Sequence, residues 1–64
     1  MTAKTELQLV DDGFEEMFGK IYLVFAQSYG SAKDPAEQQT AVATFQTQVR
    51  TARSTRDAAK QHLP

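Results

Sequence analysis

A stripe of large apolar residues in the first half of the chain constrains the fold more than any other feature. Its members are separated by alternating steps of three and four residues, which is typical of one face of an α-helix. Neighbouring aromatic residues widen the stripe to an arc of roughly 160°, compared with about 100° for an ordinary surface helix. The stripe consists of Leu7, Val10, Phe14, Met17, Ile21 and Val24, and the residues that widen it are Phe18, Tyr22, Phe25 and Tyr29. One neighbouring helix cannot cover an arc of this width.

A helix-start signal follows the stripe and predicts a second helix. Asp34, Pro35 and Glu37 match an N-cap, a first-turn proline and the third-position acid of a capping box. Gly30 suits the left-handed residue that closes the preceding helix. A connection this short makes the two helices antiparallel neighbours, so we predict an all-α hairpin in a single domain. The predicted elements are a frayed segment over 1–5, a helix over about 7–29, a loop over 30–34 and a helix over about 35–62.

The two predicted helices differ greatly in apolar content. The first carries twelve large apolar side chains, whereas the second carries four, at Val42, Phe45, Val49 and Leu63. A chain of 64 residues without cysteine, and with a single histidine, needs a source of stability other than disulfides or a usual zinc site. We therefore predict that two copies assemble into a four-helix bundle with two-fold symmetry. The predicted self-association residues are Phe14, Met17, Phe18, Ile21 and Phe25.

One large apolar residue, Leu23, lies well outside the arc, between Gly19 and Ala26 on the helix surface. Two small residues beside a leucine would let another backbone approach closely, so these three positions are predicted to contact a protein partner. A single exposed leucine also needs no partner, because isolated apolar side chains are normal on protein surfaces. Both interpretations stay open.

The segment before the helix allows a different interpretation. Leu7 and Leu9 alternate with Glu6 and Gln8, as in a half-buried strand, and glycine is poor in a helix interior, which favours a helix start at Gly13. The resulting order of strand, helix, glycine turn and helix resembles the ribbon-helix-helix repressors. That resemblance implies a DNA-binding dimer whose paired strands read bases, although the strand here carries no arginine or lysine. Whether residues 6–10 form a helix or a strand is left open.

Two charged groups fall on the predicted hairpin. Antiparallel pairing places Arg56, at a core position of the second stripe, level with Leu7 and within reach of Glu6 or Asp11 from its own or a neighbouring chain. We predict that ion pairs within the bundle account for both groups, whereas the alternative is a nucleic-acid-binding surface, because four cations could neutralise several phosphates. The acidic group is Asp11, Asp12, Glu15 and Glu16, and the basic group is Arg50, Arg53, Arg56 and Lys60.

Composition narrows the function. The formal net charge of −1 supplies no global field for nucleic acid or an anionic membrane. The start lacks a signal-peptide pattern and no apolar run approaches the roughly 18 residues of a membrane span, so we expect a cytoplasmic protein. The acidic group lacks the histidine partners of a carboxylate-bridged metal site, since His62 is far along the chain, and no nucleophile has a plausible base. We therefore predict no metal, no cofactor and no catalytic residue.

Taken together, these patterns predict a non-enzymatic helical interaction module that self-associates and binds a protein partner. The alternative is a small nucleic-acid-binding regulator, acting through a paired N-terminal strand or through the basic group on the second helix.

Overall fold

The computed structural model describes residues 3–64 and forms an α-helical hairpin. Helix α1 runs over Glu6–Gly30, helix α2 runs over Pro35–Gln61, and residues 31–34 connect them. The two helices pack side by side in one layer, with principal extents of 49 × 25 × 7 Å. The predicted all-α hairpin is confirmed.

Helix α1 begins earlier than its apolar stripe because of a capping box at its first turn. The hydroxyl of Thr5 accepts a hydrogen bond from the backbone N–H of Gln8 at 3.2 Å, and the Gln8 side chain accepts one from the backbone N–H of Thr5 at 2.8 Å. Residues 6–10 are therefore helical, and the strand that the ribbon-helix-helix resemblance requires there does not form. Thr5 is the N-cap of this helix, residues 1 and 2 lie outside the described residues, and the predicted fraying over 1–5 stays a prediction. Gly13 is accommodated inside α1.

The connection differs from its prediction at Gly30. No glycine in residues 3–64 adopts a positive φ, and Gly30 is the last residue of α1. Ser31 closes the helix instead, with a right-handed backbone at φ −96° and ψ −1°. Its backbone N–H and its hydroxyl both donate to the carbonyl of Gln27, at 3.1 and 2.8 Å. Because the serine satisfies this carbonyl, a left-handed glycine is not needed.

Helix α2 begins at the predicted cap. The carboxylate of Asp34 accepts a hydrogen bond from the backbone N–H of Glu37 at 2.8 Å, and Pro35 is the first helical residue. The carboxylate of Glu37 reaches one residue further than in an ordinary capping box and accepts from the backbone N–H of Lys33 at 2.6 Å. This bond ties the connection to the start of α2.

The helices are joined by a series of aromatic contacts, which we call the aromatic ladder. Phe45 of α2 lies between Phe25 and Phe18 of α1, with ring centroids 4.7 and 6.2 Å away. Phe25 also contacts Tyr29 at 5.5 Å, and Phe18 contacts Phe14 at 6.2 Å. The ladder therefore extends along α1 and crosses to α2 only through Phe45.

The helix register places contacting residues differently from the sequence-based prediction. Arg56 lies over the ring of Phe14, with its guanidinium carbon 4.6 Å from the ring centroid, and was expected level with Leu7. Side chains on an α-helix point back toward its N-terminus. In an antiparallel pair the side chains of the two helices therefore lean in opposite directions. Two side chains can then be in contact although their backbone positions are at different levels along the hairpin.

Replacing Phe45 with alanine should remove the single crossing point of the aromatic ladder. Phe45 is half-buried, so we expect the free energy of unfolding to fall by about 2–3 kcal/mol, below the 3–5 kcal/mol typical of fully buried phenylalanine. Urea unfolding followed by far-ultraviolet circular dichroism measures this change.

Two controls accompany this variant. Phe45→Leu keeps most of the apolar volume and should lose less than half as much stability, whereas Thr47→Ala, on the exposed side of α2, should change little. If Phe45→Ala and Thr47→Ala lost the same amount of stability, the conclusion that Phe45 holds the two helices together would be wrong.

Candidate interaction surfaces

Most large apolar side chains of α1 remain exposed in the hairpin. No residue of Glu6–Gly30 is buried, and eight of its large apolar residues are between 37% and 59% exposed. Such residues occur singly on ordinary surfaces, whereas here they are concentrated on one helix, which makes that helix the candidate interaction surface. The eight are Leu7, Leu9, Met17, Phe18, Tyr22, Leu23, Val24 and Tyr29.

The first broad side of the hairpin is rich in aromatic residues, and we call it the aromatic face. Phe18, Tyr22 and Tyr29 lie along α1 at helical spacing on this side. Tyr29 lines a shallow groove with Val42 of α2, and Phe18 lines another with Arg53. The aromatic face therefore combines residues of both helices.

The opposite broad side carries smaller apolar residues, and we call it the aliphatic face. Met17 of α1 lines a groove there with Ala52 and Ala59 of α2, and Val24 lines a second groove with Ala41. Met17 and Val24 are each about half exposed. This face is apolar but has little side-chain bulk on α2.

The five predicted self-association residues do not form one surface. Phe14, Ile21 and Phe25 are half-buried in the hairpin. Met17 belongs to the aliphatic face and Phe18 to the aromatic face, so they point to opposite sides. Their role in self-association stays a prediction, and any one interface can include only part of the set.

The predicted partner-contact residues lie on the side of α1 that faces away from α2. Gly19, Leu23 and Ala26 are all exposed, and Leu23 is the most exposed large apolar residue of α1 at 59%. A Cβ atom at Gly19 would meet nothing within 4 Å, so packing inside the hairpin does not require glycine there. Leu9, two heptads before Leu23, lies on the same side and is 56% exposed. We call this the outer side of α1.

Ion pairs cover the acidic group unevenly. Asp11 accepts from Lys60 of α2 at 2.7 Å, the one ion pair between the helices within residues 3–64. Asp12 pairs with Lys4, and its hydrogen bond and negative charge raise the pKa of that lysine. Glu16 is 3.8 Å from Lys20, whereas Glu15 makes no ion pair within the described residues. In the same part of the chain, no group of three or more acidic or histidine side chains could hold a metal ion.

The basic group divides into engaged and free members. Lys60 is held by Asp11, and Arg56 is held by its neighbour Asp57 at 3.1 Å and by the ring of Phe14. Arg56 was expected within reach of Glu6 or Asp11 of its own or a neighbouring chain. Among residues 3–64 it pairs with neither, and Lys60 binds Asp11 instead. Arg50 and Arg53 are exposed and form no ion pair among residues 3–64.

The charges around Phe18 are arranged by helix. One groove of the aromatic face has Phe14 and Phe18 as its floor, Glu15 on the α1 rim and Arg53 on the α2 rim. The acidic rim therefore belongs to α1 and the basic rim to α2.

No known protein family, curated protein or solved structure matches this chain. Neither helix of residues 3–64 contains a stretch long and apolar enough to span a membrane.

Replacing Arg56 separates its apolar role from its charge. Arg56→Ala uncovers Phe14 and removes a cation–π contact, so we expect the free energy of unfolding to fall by about 1 kcal/mol. Arg56→Leu still covers the ring without a charge at a half-buried position, so the melting temperature should equal or exceed that of the native chain. Thermal unfolding by circular dichroism measures both. A leucine variant as unstable as the alanine variant would show that the charge itself stabilises the hairpin.

Proposed function

We propose that this protein is a non-enzymatic interaction module in which two copies form a four-helix bundle and present the outer side of α1 to a protein partner. The observation that carries the proposal is the burial pattern. Among residues 3–64, the hairpin buries only Ala41, Val49 and Ala52, all on α2. The helix with the larger apolar content buries no residue at all.

The size of this core supports the self-association part of the proposal. Even a well-packed chain shorter than about 70–80 residues rarely gains more than 3–5 kcal/mol from its core. Two alanines and one valine contribute less than such a core, because an alanine buries only one methyl group. A second copy would cover apolar side chains of α1 and would stabilise folding by mass action.

The outer side of α1 supports the partner-binding part. Leu23 faces away from α2, so packing in a bundle through either broad face leaves it exposed. Gly19 and Ala26 beside it leave room for another backbone. The absence of cysteine is compatible with a cytoplasmic module, since the reducing cytoplasm does not support structural disulfides.

Sedimentation equilibrium combined with circular dichroism tests the proposal. We expect a dimer at micromolar concentration whose helicity decreases on dilution. Phe18→Asp, which places a charge on the aromatic ladder, should yield a monomer with reduced helicity. Leu23→Asp is the matched control, because it adds the same charge on the outer side of α1, and it should leave the dimer intact while abolishing partner binding.

A well-folded native monomer under these conditions would refute self-association. Loss of the dimer in Leu23→Asp would instead place the outer side of α1 in the self-association interface.

Nucleic-acid binding is a second candidate, favoured by Arg50 and Arg53, which are exposed and form no ion pair within residues 3–64. It would act through α2 alone, because residues 6–10 form no strand. This candidate predicts that RNA or DNA duplexes bind at low salt, that affinity falls steeply with added salt, and that Arg50→Ala weakens binding without changing the unfolding midpoint. Lys20→Ala, which removes an exposed cation from α1, is the control. An electrophoretic mobility-shift assay that shows no complex with RNA or DNA at low salt would exclude nucleic-acid binding.

A further inference from the structure

We propose that two copies pack through their aromatic faces with both connections at the same end of the bundle, so that Glu15 of each copy pairs with Arg53 of the other. This inference rests on the proposed self-association and adds the face, the orientation and the residues that fix the register.

The aromatic face offers the larger apolar surface to a second copy. It exposes Phe18, Tyr22 and Tyr29, whereas the aliphatic face exposes Met17 and Val24 among its large residues. Aromatic side chains bury about 150–250 Å² each and are enriched in protein interfaces. An interface of standard size takes about 800 Å² from each partner, roughly 15% of the 5206 Å² accessible surface of the hairpin. A face 49 Å long and 25 Å wide is large enough to supply it.

The rims of this face are complementary in charge. Glu15 and Arg53 stand on opposite rims of the groove over Phe14 and Phe18. Neither forms an ion pair within the described chain. Both residues lie in the half of the hairpin away from the connection. Suppose that a second copy lies with its α2 opposite α1 of the first copy, at the same level along the helices. The acidic rim of each copy then lies against the basic rim of the other, which gives two complementary contacts.

Two symmetric arrangements of the aromatic faces are possible, and the charges distinguish them. With the two-fold axis parallel to the helices, the connections lie together, α1 of one copy faces α2 of the other, and Glu15 meets Arg53. With the axis perpendicular to the helices, the connections lie at opposite ends and like helices face each other. Arg53 would then face a part of α2 without acids, because residues 38–56 contain no Asp or Glu. The parallel axis alone pairs both charges.

Charge reversal and mixing test the pairing. Glu15→Arg and Arg53→Glu should each weaken dimerisation on the order of tenfold, because each creates two like-charge contacts across the interface. An equimolar mixture should restore dimerisation to near the native affinity as a heterodimer, in which both contacts are again opposite in charge. An ion pair within one chain cannot be restored by mixing. Glu16→Arg, on the side of α1 away from the aromatic face, is the matched control and should dimerise normally.

Spin labels measure the orientation independently of these variants. Labels on Lys33→Cys, in the exposed connection, should give a short inter-label distance when the connections lie together. Connections at opposite ends would give a separation comparable to the 49 Å length of the hairpin.

The outcomes separate this inference from the proposed function. A native dimer that shows the long label distance, or whose charge-reversal variants are not restored by mixing, overturns the inference and leaves self-association intact. A native chain that stays monomeric overturns the proposed function and this inference together.

Discussion

The packing of the hairpin depends on one contact, in which Phe45 lies between Phe25 and Phe18. Away from this ring, the buried residues that α2 turns toward α1 are smaller, namely Ala41, Val49 and Ala52, so Phe45 is the one aromatic ring that α2 places between the helices. The same difference in size explains the burial pattern. The large side chains of α1 leave Ala41 only 7% and Ala52 only 3% exposed, whereas a methyl group cannot cover an aromatic ring. Burial is therefore confined to the helix with less apolar surface.

This arrangement leaves the two ends of the hairpin with different kinds of contact. Near the connection, Phe25 packs on Phe45 and Tyr29, and the association is apolar. Toward the open end, the long side chains of Arg56 and Lys60 replace core residues, one lying over Phe14 and the other reaching Asp11. Such side chains cover apolar surface with their stems while the charge stays near water. Exposed ion pairs add little stability, so the open end contributes less to the free energy of unfolding than the number of its contacts would indicate.

Sequence periodicity predicted the architecture because its signals are local and mutually consistent. The stripe of α1 and the Asp34–Pro35 start of α2 need only helix geometry to interpret. The beginning of α1 was harder to predict, because alternating residues at 6–9 match a strand while Thr5 and Gln8 match a capping box. The two hydrogen bonds of the capping box form, so the segment is helical. The prediction that a left-handed Gly30 closes α1 was wrong for a related reason, since the hydroxyl of Ser31 donates the hydrogen bond that closes the helix.

The positions of the candidate interaction surfaces were less predictable, because they depend on where α2 lies across a broad arc. Periodicity places Met17 and Phe18 on one broad arc, but α2 packs along its centre and separates them onto opposite faces. The contact partner of Arg56 could not be predicted from the sequence either, since it depends on side-chain direction and on competition with Lys60. A helix with an arc of roughly 160° has two flanks beyond the reach of one neighbour. A single hairpin therefore covers the centre of its stripe and leaves residues at both edges exposed.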